Sequence, residues 1–157
     1  MAKASLEAIK ALRDKTSASL NDVRAALESA GGDEQKALEL LRQRGAAIAE
    51  KRSGRATGQG RVETYAHHDG RLGALIEINC ETDFVARTPE FVQFCRDVAM
   101  HVAAMDPQAS GLLGQPFVKD QGTTVGDLLK ALIAKTGENV VIKRFARYAV
   151  GESAHPA

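Results

Sequence analysis

The apolar residues of this chain first change their spacing near Arg61. Before that point they recur every three or four residues, the period of an amphipathic helix; from there to Cys80 they recur every second residue, as in a strand with one buried face. A helical segment followed by a strand-bearing one is therefore expected, with a boundary between them.

Residues 1–45 read as three short helices. Leu6, Ile9 and Leu12 recur at helical spacing until Thr16-Ser17-Ala18-Ser19 breaks the run. Ser19, with Asp22 three residues on, resembles a capping box for a second helix. Val23, Ala26, Leu27 and Ala30 give that helix one apolar face, and Gly31-Gly32 stops it. Asp33 caps a third helix carrying Ala37, Leu38, Leu40 and Leu41, and Gly45 is expected to end it. Three such helices bury only a small core, which suits docking better than catalysis. Ala46 to Arg52 has the composition to continue as helix, but Gly54, Gly58 and Gly60 among Ser53, Arg55, Thr57 and Gln59 predict a flexible linker over 46–60.

Residues 61–150 read as a separate core. Val62, Thr64 and Ala66 alternate with Glu63, Tyr65 and His67, and His68-Asp69-Gly70-Arg71 makes a turn. Leu72, Ala74, Ile76, Ile78 and Cys80 line one face of the next strand. Thr88-Pro89-Glu90 is a helix start, with a capping hydroxyl, proline at the first position and an early acid. Phe91, Phe94, Cys95, Val98, Val102 and Met105 form that helix's buried stripe, and Pro107 lies just beyond. Gln115 to Val118 reads as extended, with a turn at Asp120-Gln121-Gly122; Thr124 and Asp127 form a further capping box for a helix that Gly137 closes. Val140 to Val150 is a final β-branched and aromatic strand. The fold class is α+β, a small antiparallel sheet with packed helices, and residues 151–157 form a tail.

Composition removes several function classes. The 157 residues are 44% hydrophobic and 26% charged with a net charge of +1, which describes a globular protein with no general attraction to polyanions. No apolar run approaches the roughly 18 residues that span a bilayer, the start lacks a secretory pattern, and a cytoplasmic setting is expected. Cys80 and Cys95 read as buried free thiols. Phosphate-binding glycine loops are absent, and no catalytic residue, metal site or cofactor is expected. His67 and His68 are adjacent, so on a strand they point to opposite faces; His101 reads as a packed or helix-surface residue rather than a base. Lys51, Arg52, Arg55 and Arg61 form a solvated linker or a nucleic-acid patch, and 4% aromatic content without Trp speaks against base stacking.

The most informative stretch is Glu77 to Arg87, Glu-Ile-Asn-Cys-Glu-Thr-Asp-Phe-Val-Ala-Arg. A strand leaves the sheet here and presents an acid beside a phenyl ring before a new helix. Thr82 or Asp83 makes a local turn bond while Phe84 returns to the core, or the ring stays outside as a protein-binding wedge. Spacing alone leaves both open.

These residues resemble the central signature of the elongation factor Ts family, whose core is the Thr-Asp-Phe-Val turn. Leu12 to Thr16 and Leu20 to Leu27 resemble its amino-terminal signature, continued by Gly31 to Ala37 and Leu41 to Gly45. Ala99 to Ala103 with Pro107, Gln115 to Val118, Gly137 to Val140 and Arg144-Phe145 follow in family order. The resemblance implies a three-helix module like a ubiquitin-associated domain, followed by a core that grips elongation factor Tu and opens its nucleotide site so that GTP replaces GDP. By the same resemblance Thr82, Asp83, Phe84 and Val85 form the intruding corner. Phe84 wedges between helices of Tu, Asp83 disturbs the magnesium and phosphate contacts, and Arg13, Leu20 and Asn21 dock the helical module. The expected partner is Tu, GDP-bound or nucleotide-free, with a possible homodimer and neither membrane nor direct nucleic-acid binding.

Two departures stand out. Serines replace the usual glycines after the first helix, and only a few residues join Pro107 to Gln115 where many members carry a long helical insertion. Long members also duplicate the core, so a single-copy chain is a candidate to pair with itself. The rival readings are a ubiquitin-associated-like adaptor, which leaves Thr82 to Val85 without a role, and a ribosome- or RNA-associated accessory protein using the basic linker.

Overall fold

The computed structural model describes residues 4–16 and 18–152. In chain order they form α1 (Leu6–Thr16), α2 (Leu20–Ser29), α3 (Glu34–Arg52), β1 (Gln59–Ala66), β2 (Leu72–Cys80), α4 (Asp83–Ala86), α5 (Pro89–Met105), β3 (Pro116–Phe117), β4 (Asp120–Thr124), α6 (Val125–Thr136) and β5 (Val140–Ala149). The class is α+β, as expected. Residues up to Gly54 with Lys130–Glu138 make one compact unit, and Arg55–Leu129 with the residues from Asn139 onward make the other. Ser17 of the expected loop, and His155 with the tail past Glu152, lie outside the described residues.

In the first unit Ile9, Leu12, Val23, Ala26, Leu27 and Ala37 close a small core, with Leu38 and Leu41 packed against it. Ser19 Oγ accepts from Asp22 N at 3.2 Å and Asp33 Oδ1 from Lys36 N at 3.0 Å, so both expected caps satisfy otherwise orphaned N–H groups. Gly31 and Gly32 take φ of 64° and 89°, a region that side chains disfavour, and α2 stops there. Gly45, by contrast, does not end α3, which runs on to Arg52. A glycine with helical dihedrals costs a helix only about 1 kcal/mol, and this one is buried, with a Cβ position 3.6 Å from Lys130 O.

The second unit is built on an antiparallel sheet in the order β1-β2-β5. Ala74, Ile76, Ile78 and Cys80 alternate along β2 and are buried, as are Phe91, Phe94, Cys95, Val98 and Val102 of α5, which packs across the sheet. Large apolar side chains of this kind contribute about 1.5–3 kcal/mol each when fully buried. Met105, expected in the stripe, is exposed: it is the last residue of α5, one place before Asp106 turns left-handed at φ 45°. Arg147 Nε donates to Ala103 O at 2.8 Å, placing a cation over the carbonyl end of the helix.

In β1 the polar residues face α5. Arg61, Glu63 and Tyr65 pair with Ile78, Ile76 and Ala74, whereas Val62, Thr64 and Ala66 face outward. Glu63 accepts from Arg61 Nε at 2.7 Å and lies 3.9 Å from Arg96 of α5. Burial alone raises this carboxyl, but the Arg61 and Thr64 hydrogen bonds and the charges of Arg61 and Arg96 outweigh it and hold the pKa below the ordinary value. A bulge at Glu77/Ile78 pairs Ile142 with Ile78 and Phe145 with Ile76, keeping both inward despite their odd spacing.

Two expectations about loops need correction. Gly60 belongs to β1 rather than to a flexible linker: a Cβ there would lie 2.3 Å from Ile78 O and 2.7 Å from Asn79 Cα, so glycine is required by close approach. Helix to Arg52 and strand from Gln59 leave little of 46–60 as linker. The turn expected at Asp120 to Gly122 falls earlier, at Val118-Lys119, because Val118 N donates to His101 Nδ1 of α5 at 3.2 Å and fixes the chain there. Thr124 and Asp127 bond reciprocally, at 3.2 and 3.0 Å, to start α6, and Gly137 at φ 72° closes it.

Candidate functional site

Between the end of β2 and the start of α5 the chain makes a corner of short, heavily bonded turns. Thr82 is extended and its Oγ1 accepts from Val85 N at 3.3 Å, which starts α4. Six residues later Thr88 repeats the device, its Oγ1 accepting from Phe91 N at 3.3 Å. Thr88 Oγ1 also donates to Val85 O at 2.9 Å, so the end of α4 is tied to the start of α5. Asp83 pairs with Arg87 across one turn, at 3.1 Å.

No residue of α4 is buried, and Phe84 is 82% exposed. Its ring therefore takes the outward option that spacing left open. A phenyl ring held in water by a capped helix has about 1.5–3 kcal/mol to gain on entering an apolar cleft.

The upstream side is held by one local bond and by two distant segments. Cys80 Sγ donates to Thr82 O at 3.2 Å. Glu81 Oε1 accepts the backbone N–H of Asn139 at 2.7 Å, and Glu81 Oε2 lies 3.4 Å from Arg55 Nη1. Asn139, only 4% exposed, donates from Nδ2 to Arg55 O at 2.8 Å. Residues 55, 81 and 139 follow no common period, and only their positions at the ends of strands hint at a junction.

The other expected docking residues, Arg13 on α1 and Leu20 and Asn21 at the start of α2, are exposed in the first unit. Thr16 Oγ1 donates to Leu12 O at 2.7 Å and accepts from Ala18 N at 3.3 Å, closing α1 between Arg13 and Leu20.

The remaining candidates do not assemble a reactive centre. His101 is fully buried, with Nε2 bonded to Gln115 Oε1 at 2.8 Å; it packs, as expected of a structural histidine. The His67 and His68 rings do not point apart: their centroids are 4.3 Å from one another, because the strand ends at Ala66 and alternation no longer governs the turn. Among the described residues no group of three or more His, Cys, Asp or Glu is placed to hold a metal ion. Cys80 and Cys95 are buried free thiols, and burial pushes Cys95 up to about 12, which keeps it protonated. Of the four basic residues of the linker region, Arg55 is engaged with Glu81 and Arg61 with Glu63. No helix among the described residues is long and apolar enough to cross a membrane.

The family profile described as Elongation factor TS matches residues 4–111, a range that contains the whole corner. The chain is 44% identical to an Elongation factor Ts of Rubrobacter xylanophilus, over 91% of this chain and 97% of the relative. It is 41% identical to one of Carboxydothermus hydrogenoformans, over 92% and 88%, and 39% identical to one of Thermotoga petrophila, over 94% and 96%. The Rubrobacter alignment runs to 189 positions against 157 residues here, so that relative carries residues with no counterpart in this chain. The chain belongs to the elongation factor Ts family of translation elongation factors.

Proposed function

We propose that this protein is a guanine-nucleotide exchange factor for elongation factor Tu, working in the cytoplasm by contact rather than by covalent catalysis. The observation that carries the reading is Phe84, 82% exposed on a helix of four residues fixed at both ends. Thr82 and Val85 hold the corner's shape, Phe84 wedges into the Tu nucleotide domain, and Asp83 disturbs the magnesium and phosphate contacts. The helical module, 1–45, docks through Arg13, Leu20 and Asn21, and the core, 61–150, presents the corner.

The energetics are feasible. Each 1.4 kcal/mol taken from nucleotide binding weakens it about tenfold, and disordering the metal contacts supplies several such steps. Reciprocity requires that nucleotide rebinding weaken the hold of this protein on Tu equally, which lets it leave. The test is release of labelled GDP from the cognate Tu. Acceleration at micromolar protein is expected, with most of it lost in Phe84→Ala; no acceleration by the unaltered protein sinks the reading.

A homodimer completes the proposal. The outward face of the sheet carries Val62, Leu75 and Ala146 around a shallow groove, with Tyr148 73% exposed and the Glu77–Arg144 pair at 2.7 Å on its border. An apolar centre flanked by one carboxylate and one guanidinium is self-complementary about a two-fold axis. Light scattering should give twice the monomer mass, and Leu75→Glu should reduce it to one chain; a monomer before substitution refutes the pairing.

A further inference from the structure

We infer that Glu81, held by Asn139 and Arg55, is the positioning residue that gives the Phe84 corner its stiffness toward its partner; this inference deepens the exchange reading and depends on it. A wedge transmits force only if the chain behind it does not hinge. The chain behind Phe84 is two residues long, from Cys80 at the end of β2 to Asp83 at the start of α4. Unsupported, such a link swings freely. Here Glu81 binds Asn139 N, at the entry to β5, and faces Arg55, ahead of β1, while Asn139 Nδ2 binds Arg55 O. All three strands of the sheet are thereby joined beside the corner. Charge-assisted bonds at a partly buried carboxylate are stronger than neutral ones, and ordering the corner in advance removes an entropic cost from binding.

Thr88 ties the exit of α4 to α5, whereas the Glu81 clamp ties the peptide that enters it to the other two strand ends. Loss of the clamp therefore reduces what the wedge does once docked more than it reduces docking itself, because Arg13, Leu20 and Asn21 are untouched.

The experiment measures GDP release from the cognate Tu against concentration for the full chain, Phe84→Ala, Glu81→Ala and Glu81→Gln, all below their unfolding temperatures. Glu81→Ala should lower the saturating release rate by about tenfold while the half-saturating concentration moves by less than about threefold. Glu81→Gln keeps an acceptor for Asn139 N and should restore at least about a third of the rate. Amide exchange at Phe84 to Arg87 should speed up in Glu81→Ala without Tu present.

If Phe84→Ala loses acceleration but Glu81→Ala keeps the saturating rate, or changes only the half-saturating concentration, the positioning role is wrong and the exchange reading stands. If the unaltered chain accelerates nothing, both fail. Should Glu81→Ala not fold, Asn139→Ala decides: it keeps the backbone bond to Glu81 and removes the link to Arg55 O, and an unchanged saturating rate overturns the role.

Discussion

Helices α4 and α5 begin alike and end up doing opposite work. Each opens on a threonine whose hydroxyl accepts an N–H three residues on, at 3.3 Å in both cases, and each carries a phenylalanine in its first turn. Phe91 is fully buried, whereas Phe84 is 82% exposed. The caps are equal, so they do not decide the fate of the rings. Position and length differ: Phe84 stands two residues after its cap and Phe91 three, and α5 has seventeen residues with an apolar stripe that lies on the sheet, while α4 has four and no stripe. The same local chemistry thus builds a core helix in one place and an exposed projection in the other.

The widest separation between the two rings is expected from truncation. Phe91→Ala should cost about 3–5 kcal/mol of stability through lost burial and the cavity left behind, measured by urea unfolding with coincident probes. Phe84→Ala should stay within about 0.5 kcal/mol of the unaltered protein. If the two variants unfold alike, Phe84 is a core residue and the wedge assignment fails with it.

A smaller effect tests the sheet that supports α5. Gly60→Ala places a Cβ into Ile78 O and the Asn79 backbone, so β1 must move away from β2. Overpacking of this sort costs about 1–3 kcal/mol, and the loss should appear as a lower denaturation midpoint. Gly58→Ala, where a Cβ meets nothing within 4 Å, should be near neutral. Equal effects at the two positions mean that β1 is looser than the close approach at Gly60 implies.

Much of this frame was legible in the sequence because it is local. Ser19, Asp33, Thr88 and Thr124 are caps that announce themselves within three residues, and the buried face of β2 follows from alternation. What was not legible is what depends on a neighbouring segment. Gly45 and Gly60 read as breakers, yet one sits against the Lys130 backbone and the other against β2. The polar residues of β1 turn inward and are met there by one another and by α5, with Glu63 paired to Arg61 and 3.9 Å from Arg96, a partner that no alternation rule contains. At the corner, Thr82 to Val85 was found through family resemblance, and spacing could not choose the side for Phe84. Glu81, Asn139 and Arg55 meet only once three strands are aligned.

The smallest expected effect separates the two helices by charge. Under α5, Glu63 has a side chain 12% exposed and a depressed pKa; on α4, the Asp83–Arg87 pair is largely in water. A carboxylate whose folded pKa is lowered stabilises the fold above its unfolded value, near 4.5, and the contribution disappears as pH falls through the folded value. Glu63→Gln should therefore cost about 1 kcal/mol at pH 7, discounted for the solvent around Arg61 and Arg96. The deficit should shrink below pH 4.5 as the unaltered protein protonates and loses the same interaction. Asp83→Asn should change stability at pH 7 by less than about 0.5 kcal/mol, as exposed helix pairs do. A Glu63→Gln deficit that persists undiminished in acid means that the loss is packing rather than charge, and the polar inward face of β1 then supports α5 by shape alone.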